Sequence, residues 1–214
     1  MRLLALVAVS LCWAQQAENP ALAPVEDVAG LPRVLLIGDS ISIGYTLPLR
    51  AALAGKANVH HIPENGASTK TGVDKIDAWL GGKKWNVIAF NFGLHDLKVM
   101  DDGRRQVPLA EYENNLTVIA PRLKKTGAKL IFLLTTPVPE GPVNPPRHPA
   151  DVALYNGVAR HVMAAEGIPV VDLYTFVLPH LGEWQRPVNV HYKEAGYEAL
   201  GGEVARAIER ALAK

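Results

Sequence analysis

The chain has 214 residues, 49% of them hydrophobic and 20% charged, which suits one globular domain with a sizeable core and excludes a disordered chain. Lysine plus arginine (22) almost balances aspartate plus glutamate (21), so the formal charge of +1 gives no electrostatic footprint for nucleic acid or an anionic membrane; a small neutral substrate fits better. The single cysteine, Cys12, excludes a disulfide framework and a cysteine-built metal site.

Met1-Arg2 supplies a short positive start and Leu3 to Trp13 an apolar stretch. Leu11-Cys12-Trp13-Ala14 then ends on a small residue before Gln15-Gln16. This pattern predicts an export signal over residues 1–14 and a secreted or periplasmic protein; the stretch is too short to span a bilayer. Residues 15–31, rich in Ala, Pro and Glu without a clear period, read as an N-terminal arm or linker, and residues 32–214 as one domain.

Within that domain, apolar runs bounded by turn signals fall at Arg33-Ile37, Val59-Ile62, Val87-Phe92, Leu130-Thr135 and Val170-Leu173. Four of the five lack the alternation of a half-exposed strand, which predicts buried parallel strands. Helical periods lie between and after them: Leu109, Tyr112, Leu116, Ile119 and Leu123; Val152 to Ala165; and Leu200, Val204, Ile208 and Ala211. Alternating strands and helices predict an α/β fold, a mainly parallel five-stranded sheet covered on both faces, with ligands at the carboxyl ends of the strands near a reversal of strand order. The proline-rich piece Pro137-Pro149 follows the fourth run and is expected on that ligand face as a stiff loop.

Ile37-Gly38-Asp39-Ser40-Ile41 sets a lone serine where a strand turns into a helix. The same letters also make an ordinary turn, so their weight depends on what converges with them. Asn65-Gly66-Ala67-Ser68 and Gly93-Leu94-His95-Asp96 follow the next two runs, and Asn189-Val190-His191 precedes the last helix. In a doubly wound sheet the first three share one edge, and His191 can close over them. A nucleophile, a base and oxyanion donors are what acyl transfer requires.

In this order the segments resemble the SGNH, or GDSL-type, hydrolase superfamily, from about Arg33 to Ala211. The resemblance implies a flavodoxin-like three-layer α/β/α sandwich and carboxylic ester hydrolysis without a metal or other cofactor. Gly38-Asp39-Ser40 matches the block that carries the nucleophilic serine, Gly66 with Gly72 the second block, Gly93-Leu94-His95-Asp96 the block normally written Gly-x-Asn-Asp, and Val190-His191-Tyr192-Lys193-Glu194-Ala195-Gly196-Tyr197 the block with the base. By that resemblance Ser40 attacks the acyl carbon and His191 takes its proton, while the backbone N–H groups of Ser40 and Gly66, with His95, hold the oxyanion. Asp39, Asp96 and Asn189 are candidates for support.

The chain departs from the family pattern at two places. His95 stands where an asparagine is expected; a neutral imidazole donates one N–H, a protonated one donates with charge assistance, and a third reading has the ring only pack, held by Asp96. Before His191, where an orienting aspartate is expected, stand Val188 and Asn189. A backbone carbonyl, the Asn189 oxygen or the more distant Asp172 are the candidates to orient the imidazole, and Glu194 suits the start of the last helix. His60 and His61 are neighbours on a strand and face opposite ways, and His148, His161 and His180 share no ligand spacing, so no metal site is expected. Trp79 and Trp85 read as core anchors, and Trp184 as either an anchor or a pocket wall. The expectation is an exported serine hydrolase of short-chain esters, with a small-molecule or carbohydrate ester as substrate. A non-catalytic glycan-binding relative and an acyltransferase are the alternatives.

Overall fold

The computed structural model describes residues 19–213, so the predicted export signal and the first residues of the predicted arm lie outside the described residues. β1 (Arg33–Ile37), β2 (Asn58–His61), β3 (Val87–Phe90), β4 (Lys129–Leu133) and β5 (Val170–Val171) form one parallel sheet in the order β2-β1-β3-β4-β5. Val34, Leu35, Leu36 and Ile37 are all at most 2% exposed, which is why the run does not alternate. Each such side chain contributes about 1.5–3 kcal/mol by leaving water.

The strands are shorter than the apolar runs that announce them. β5 stops after Val171 because the Asp172 carboxylate turns the chain into a short helix, α5 (Leu173–Val177), by accepting the Thr175 N–H at 3.0 Å. Phe92 and Thr135 lie past the ends of β3 and β4, in the loops that carry the site.

The larger helices are α1 (Ser40–Ala52), α2 (Thr69–Leu80), α3 (Leu109–Lys124), α4 (Pro149–Ala165) and α7 (Glu194–Leu212); a 3₁₀ turn and the short α6 (Leu181–Trp184) follow α5. The chain goes from β1 to β2 in one direction and back across β1 to β3. Right-handed crossovers therefore put α1 on one face of the sheet and α2, α3 and α4 on the other. α7 returns to pack along α1.

That last contact positions the site. A Cβ on Gly44 would lie 2.2 Å from the Tyr197 ring, and one on Gly201 would lie 2.9 Å from Pro48 Cβ and 3.0 Å from the Leu49 nitrogen, so glycine lets the two helices touch backbone to side chain. Gly44 meets Tyr197, and four residues on Pro48 meets Gly201, so α1 and α7 run parallel and both begin at the carboxyl edge of the sheet. The segment entering α7 is thereby held beside the first turn of α1.

The described part of the arm lies against the β2 edge. Arg50 Nη1 donates to the Pro20 carbonyl at 2.9 Å, and Asn58 Oδ1 accepts the Val28 N–H at 2.9 Å. Among the described residues no helix is long and apolar enough to cross a membrane.

Candidate active site

Ser40 is the first residue of α1, and the helix starts there because Asp39 caps it, Oδ1 accepting the Ile41 N–H at 2.9 Å. The N–H of Ser40 is one of the first-turn donors that a helix cannot satisfy internally, and the helix dipole places partial positive charge beside it. Asp39 itself is 2% exposed; burial raises its pKa, and among the described residues its second oxygen has no partner.

The structure brings Ser40 and His191, 151 positions apart, to 2.8 Å between Oγ and Nε2. His191 Nδ1 lies 2.8 Å from Asn189 Oδ1, and the same oxygen accepts the His191 backbone N–H at 2.9 Å. The second contact decides the first. Only the oxygen end of an amide can accept a backbone N–H, so the Asn189 oxygen must face the ring, Nδ1 must carry the proton, and Nε2 is left with the lone pair that Ser40 requires. Of the candidates to orient the imidazole, the structure brings Asn189 to the ring. The Asp172 carboxylate is occupied with Thr175 and with Arg160, 2.6 Å away. Burial first, then Arg186 and Arg147, hold His191 below its ordinary pKa.

Gly66 does something other than the resemblance implies. Its N–H, assigned above to the oxyanion, donates to the Gly38 carbonyl at 2.8 Å and ties the loop after β2 to the loop after β1. A Cβ on Gly66 would lie 2.8 Å from that carbonyl oxygen, so glycine is needed for the approach of the two backbones. Gly72 sits in α2, where a Cβ would fall 2.7 Å from the Phe92 ring.

His95 sits on a tight turn after β3. Leu97 N–H donates to the Gly93 carbonyl at 3.0 Å, and buried Arg147, reaching in from the proline-rich loop, donates from Nε to the Leu94 carbonyl at 2.8 Å. Asp96 is fully buried and accepts both the N–H and the hydroxyl of Thr69 at the start of α2, which makes it a brace between two loops. Burial outweighs those hydrogen bonds and lifts its pKa to about 6. Lys98 Nζ stands 3.0 Å from His95 Nδ1. Burial, then Lys98, Arg147 and His191, press the His95 imidazole down to about 3, so it is neutral.

Two of these residues were not singled out in the sequence. Lys98 meets His95 only because residues 93–98 coil into a helical turn, and Arg147 is one basic residue in a proline-rich loop. The spacing of three between His95 and Lys98 hints at the first contact but does not by itself show that the turn is helical. A second serine–histidine contact lies behind the first: His61 Nε2 is 2.7 Å from Ser42 Oγ and His61 Nδ1 is 2.6 Å from the Ile62 carbonyl, with Ser42 3% and His61 8% exposed.

The other residues singled out in the sequence have partners other than Ser40. His60 pairs with Asp27 at 2.7 Å, His148 precedes α4, and His180 stacks on Trp184 with ring centroids 4.0 Å apart. Trp79 Nε1 donates to Glu64 at 3.0 Å and Trp85 Nε1 to the Leu80 carbonyl at 3.2 Å, while Glu194 occupies the first turn of α7. Among the described residues no three His, Cys, Asp or Glu side chains converge as a metal site would require.

Comparison with solved structures finds the same architecture repeatedly. A lipase/acylhydrolase from Enterococcus faecalis superposes with a TM-score of 0.72 at 24% identity, over 84% of this chain and 96% of its own. An acetylxylan esterase, Axe2, from Geobacillus stearothermophilus gives 0.67 at 18% identity, over 86% and 94%. The esterase EstA from a Pseudoalteromonas species, in a structure inhibited by monoethylphosphonate, gives 0.64 at 16% identity, over 85% and 99%. At these identities the likeness establishes the fold, a flavodoxin-like α/β/α sandwich of the SGNH hydrolase type. No curated protein matches the sequence. The sequence itself matches a family of hydrolases over residues 36–199, a span that holds the Ser40 turn, the His95 turn and the His191 segment together. By that match the chain belongs to the GDSL-like lipase/acylhydrolase family.

Proposed function

We propose that the protein is a serine ester hydrolase that works through an acyl-enzyme on short-chain esters, with O-acetylated carbohydrate as the substrate class. The observation that carries the reading is the run of contacts Ser40–His191–Asn189, both side-chain steps 2.8 Å long. In it Ser40 Oγ attacks the acyl carbon while His191 Nε2 takes its proton, and Asn189 Oδ1 steadies the Nδ1–H of the imidazolium. The oxyanion is held by the Ser40 N–H and by His95. The imidazolium then protonates the leaving alkoxide, and a water activated by the same Nε2 releases the acid and restores Ser40.

The acetylated-carbohydrate substrate rests on the likeness to Axe2, an acetylxylan esterase, and action outside the cytoplasm rests on the export signal read at residues 1–14. Both belong to the proposal. A fluorophosphonate probe tests the chemistry, since phosphonylation needs an activated serine: wild type is expected to take up one label, located on Ser40 by peptide mapping, and to cleave p-nitrophenyl acetate. Ser40→Ala is expected to take none and to lose at least about 10⁴-fold in kcat. Wild type that resists the probe and spares the ester would leave a cleft that binds without cleaving.

A further inference from the structure

We propose that Lys98 is a positioning residue that fixes His95 in the tautomer with its proton on Nε2, so that this imidazole acts as a neutral one-donor group at the oxyanion in the place of the family's asparagine amide. The inference rests on the ester-hydrolase reading for its catalytic consequence, though not for the tautomer itself.

The contact follows from the backbone. Between Gly93 and Lys98 the chain makes a short helical turn, with Leu97 N–H donating to the Gly93 carbonyl and Lys98 N–H to the His95 carbonyl at 3.3 Å, so residues three apart share a face. Both ends of the turn are anchored. Arg147 holds the Leu94 carbonyl, Thr69 holds Asp96, and the Lys98 carbonyl accepts the Gln106 N–H at 2.8 Å. Lys98 is half-buried, and among the described residues it forms no ion pair with a carboxylate. Its nearest polar partner is the His95 ring, 3.0 Å away.

An ammonium has three protons and no lone pair, so it can only donate. At that distance His95 Nδ1 must therefore present its lone pair, and a neutral ring has its one proton on Nε2. Protonating the ring would set an N–H against the Lys98 ammonium, with Arg147 and His191 also near; the depressed pKa of His95 agrees with that repulsion acting beside burial. An asparagine amide needs no such control because its N–H₂ is a donor at every pH. An imidazole does, since its other tautomer would turn a lone pair toward a developing negative charge.

Histidine side-chain nitrogen spectra of ¹⁵N-labelled protein read the tautomer without reference to turnover. Wild type is expected to show His95 with a pyridine-type Nδ1 and a pyrrole-type Nε2 around neutral pH, where Lys98 is an ammonium even with its pKa lowered by burial and then by Arg147. Lys98→Met should average the two nitrogens and let the ring titrate at higher pH, and Lys98→Arg should restore the single tautomer. In kinetics, Lys98→Met should lower kcat by less than the about 10²–10³-fold typical of deleting one oxyanion donor, with KM little changed. In a His95→Asn background the same lysine substitution should cost nothing further. A wild-type spectrum with the proton on Nδ1, or a Lys98→Met spectrum like wild type, overturns the tautomer lock even if the protein proves to cleave no ester. A kcat that falls as far in the His95→Asn background as in wild type overturns its catalytic consequence.

Discussion

At the scale of single residues the site depends on where protons sit. Asn189 replaces the acid that the family pattern leads one to expect, and in a serine protease the corresponding aspartate-to-asparagine change costs about 10⁴ in turnover through the wrong tautomer. Here the His191 backbone N–H pins the amide oxygen toward the ring, so the tautomer comes out right. Asn189→Ala is expected to lower kcat on the order of 10²-fold, short of that figure because loss of the amide leaves the imidazole free to adopt either tautomer rather than holding it in the wrong one. Asn189→Asp keeps the acceptor and adds a negative charge, which favours the protonated ring. A base must be neutral to act, so the acid limb of kcat/KM should lie below about pH 6.5 in wild type and move up by roughly one unit in Asn189→Asp. Rate profiles that superpose would remove the role assigned to this contact. The candidate nucleophile and base were legible in the sequence, because short motifs carry them. The proton logic was legible only in part: the Asn189 oxygen stood among the candidate acceptors, but the choice depends on an amide orientation set by one backbone N–H, and neither a lysine brought round by a turn nor a Gly66 amide already taken by Gly38 was expected.

Among the elements, the packing of α1 on α7 sets the distance between Ser40 and His191, since each residue stands at or just before the start of its helix. The two glycines at that contact should separate stability from activity. Gly201→Ala presses on the Leu49 nitrogen and the Tyr45 carbonyl, backbone that cannot turn aside, and is expected to cost about 1–3 kcal/mol in denaturant unfolding with kcat nearly unchanged. Gly44→Ala drives into the Tyr197 ring, one turn into α7 and close to His191, so it should lower kcat as well. Equal losses of kcat in the two variants would argue against the helix contact as the spacer. β1 and β3 were plain in the sequence because burial on both faces leaves no alternation to misread. α1 was expected from the strand-to-helix turn at Ser40 but without bounds: its sequence is apolar around much of its circumference and contains Pro48, so no helical stripe stands out. β5 was predicted at twice its length because Asp172 reads as a strand end until its bond to Thr175 is seen.

Over the whole molecule, burial of titratable groups fixes how stability changes with acid. His61 and His95 are neutral in the fold down to about pH 4 and 3, while in the unfolded chain they take up protons near 6.5. Below about pH 6.5 the unfolded state therefore binds more protons, and their contribution to stability is lost as pH falls toward those values. His191, also lowered, acts in the same sense. Asp96, raised to about 6, and Asp39, raised by burial, pull the other way: their contribution is present in acid and lost as pH rises through the folded values. The expected net result is a Tm that falls between pH 6.5 and 4, measured by calorimetry. His61→Gln, which removes one of the acid-sensitive groups, should fall less steeply; a steeper fall would contradict the assignment. The same measurement on Ser40→Ala should follow wild type, since the serine hydroxyl does not titrate in this range.

The inner contact between Ser42 and His61 gives the molecule its own control. It has the same two side chains at nearly the same separation as the outer pair, and its ring also passes Nδ1 to an oxygen acceptor. It lacks an approach, because Ser42 lies inside α1 against a chain so close that a Cβ on Gly38 would meet its hydroxyl at 2.8 Å. The two pairs also differ in where the hydroxyl proton can go: the Ser42 hydroxyl has the Asp39 carbonyl at 2.7 Å as an acceptor, whereas the side-chain partner of Ser40 Oγ is His191 Nε2. One polypeptide thus holds the proposed nucleophile and an enclosed counterpart to it, two residues apart on the same helix.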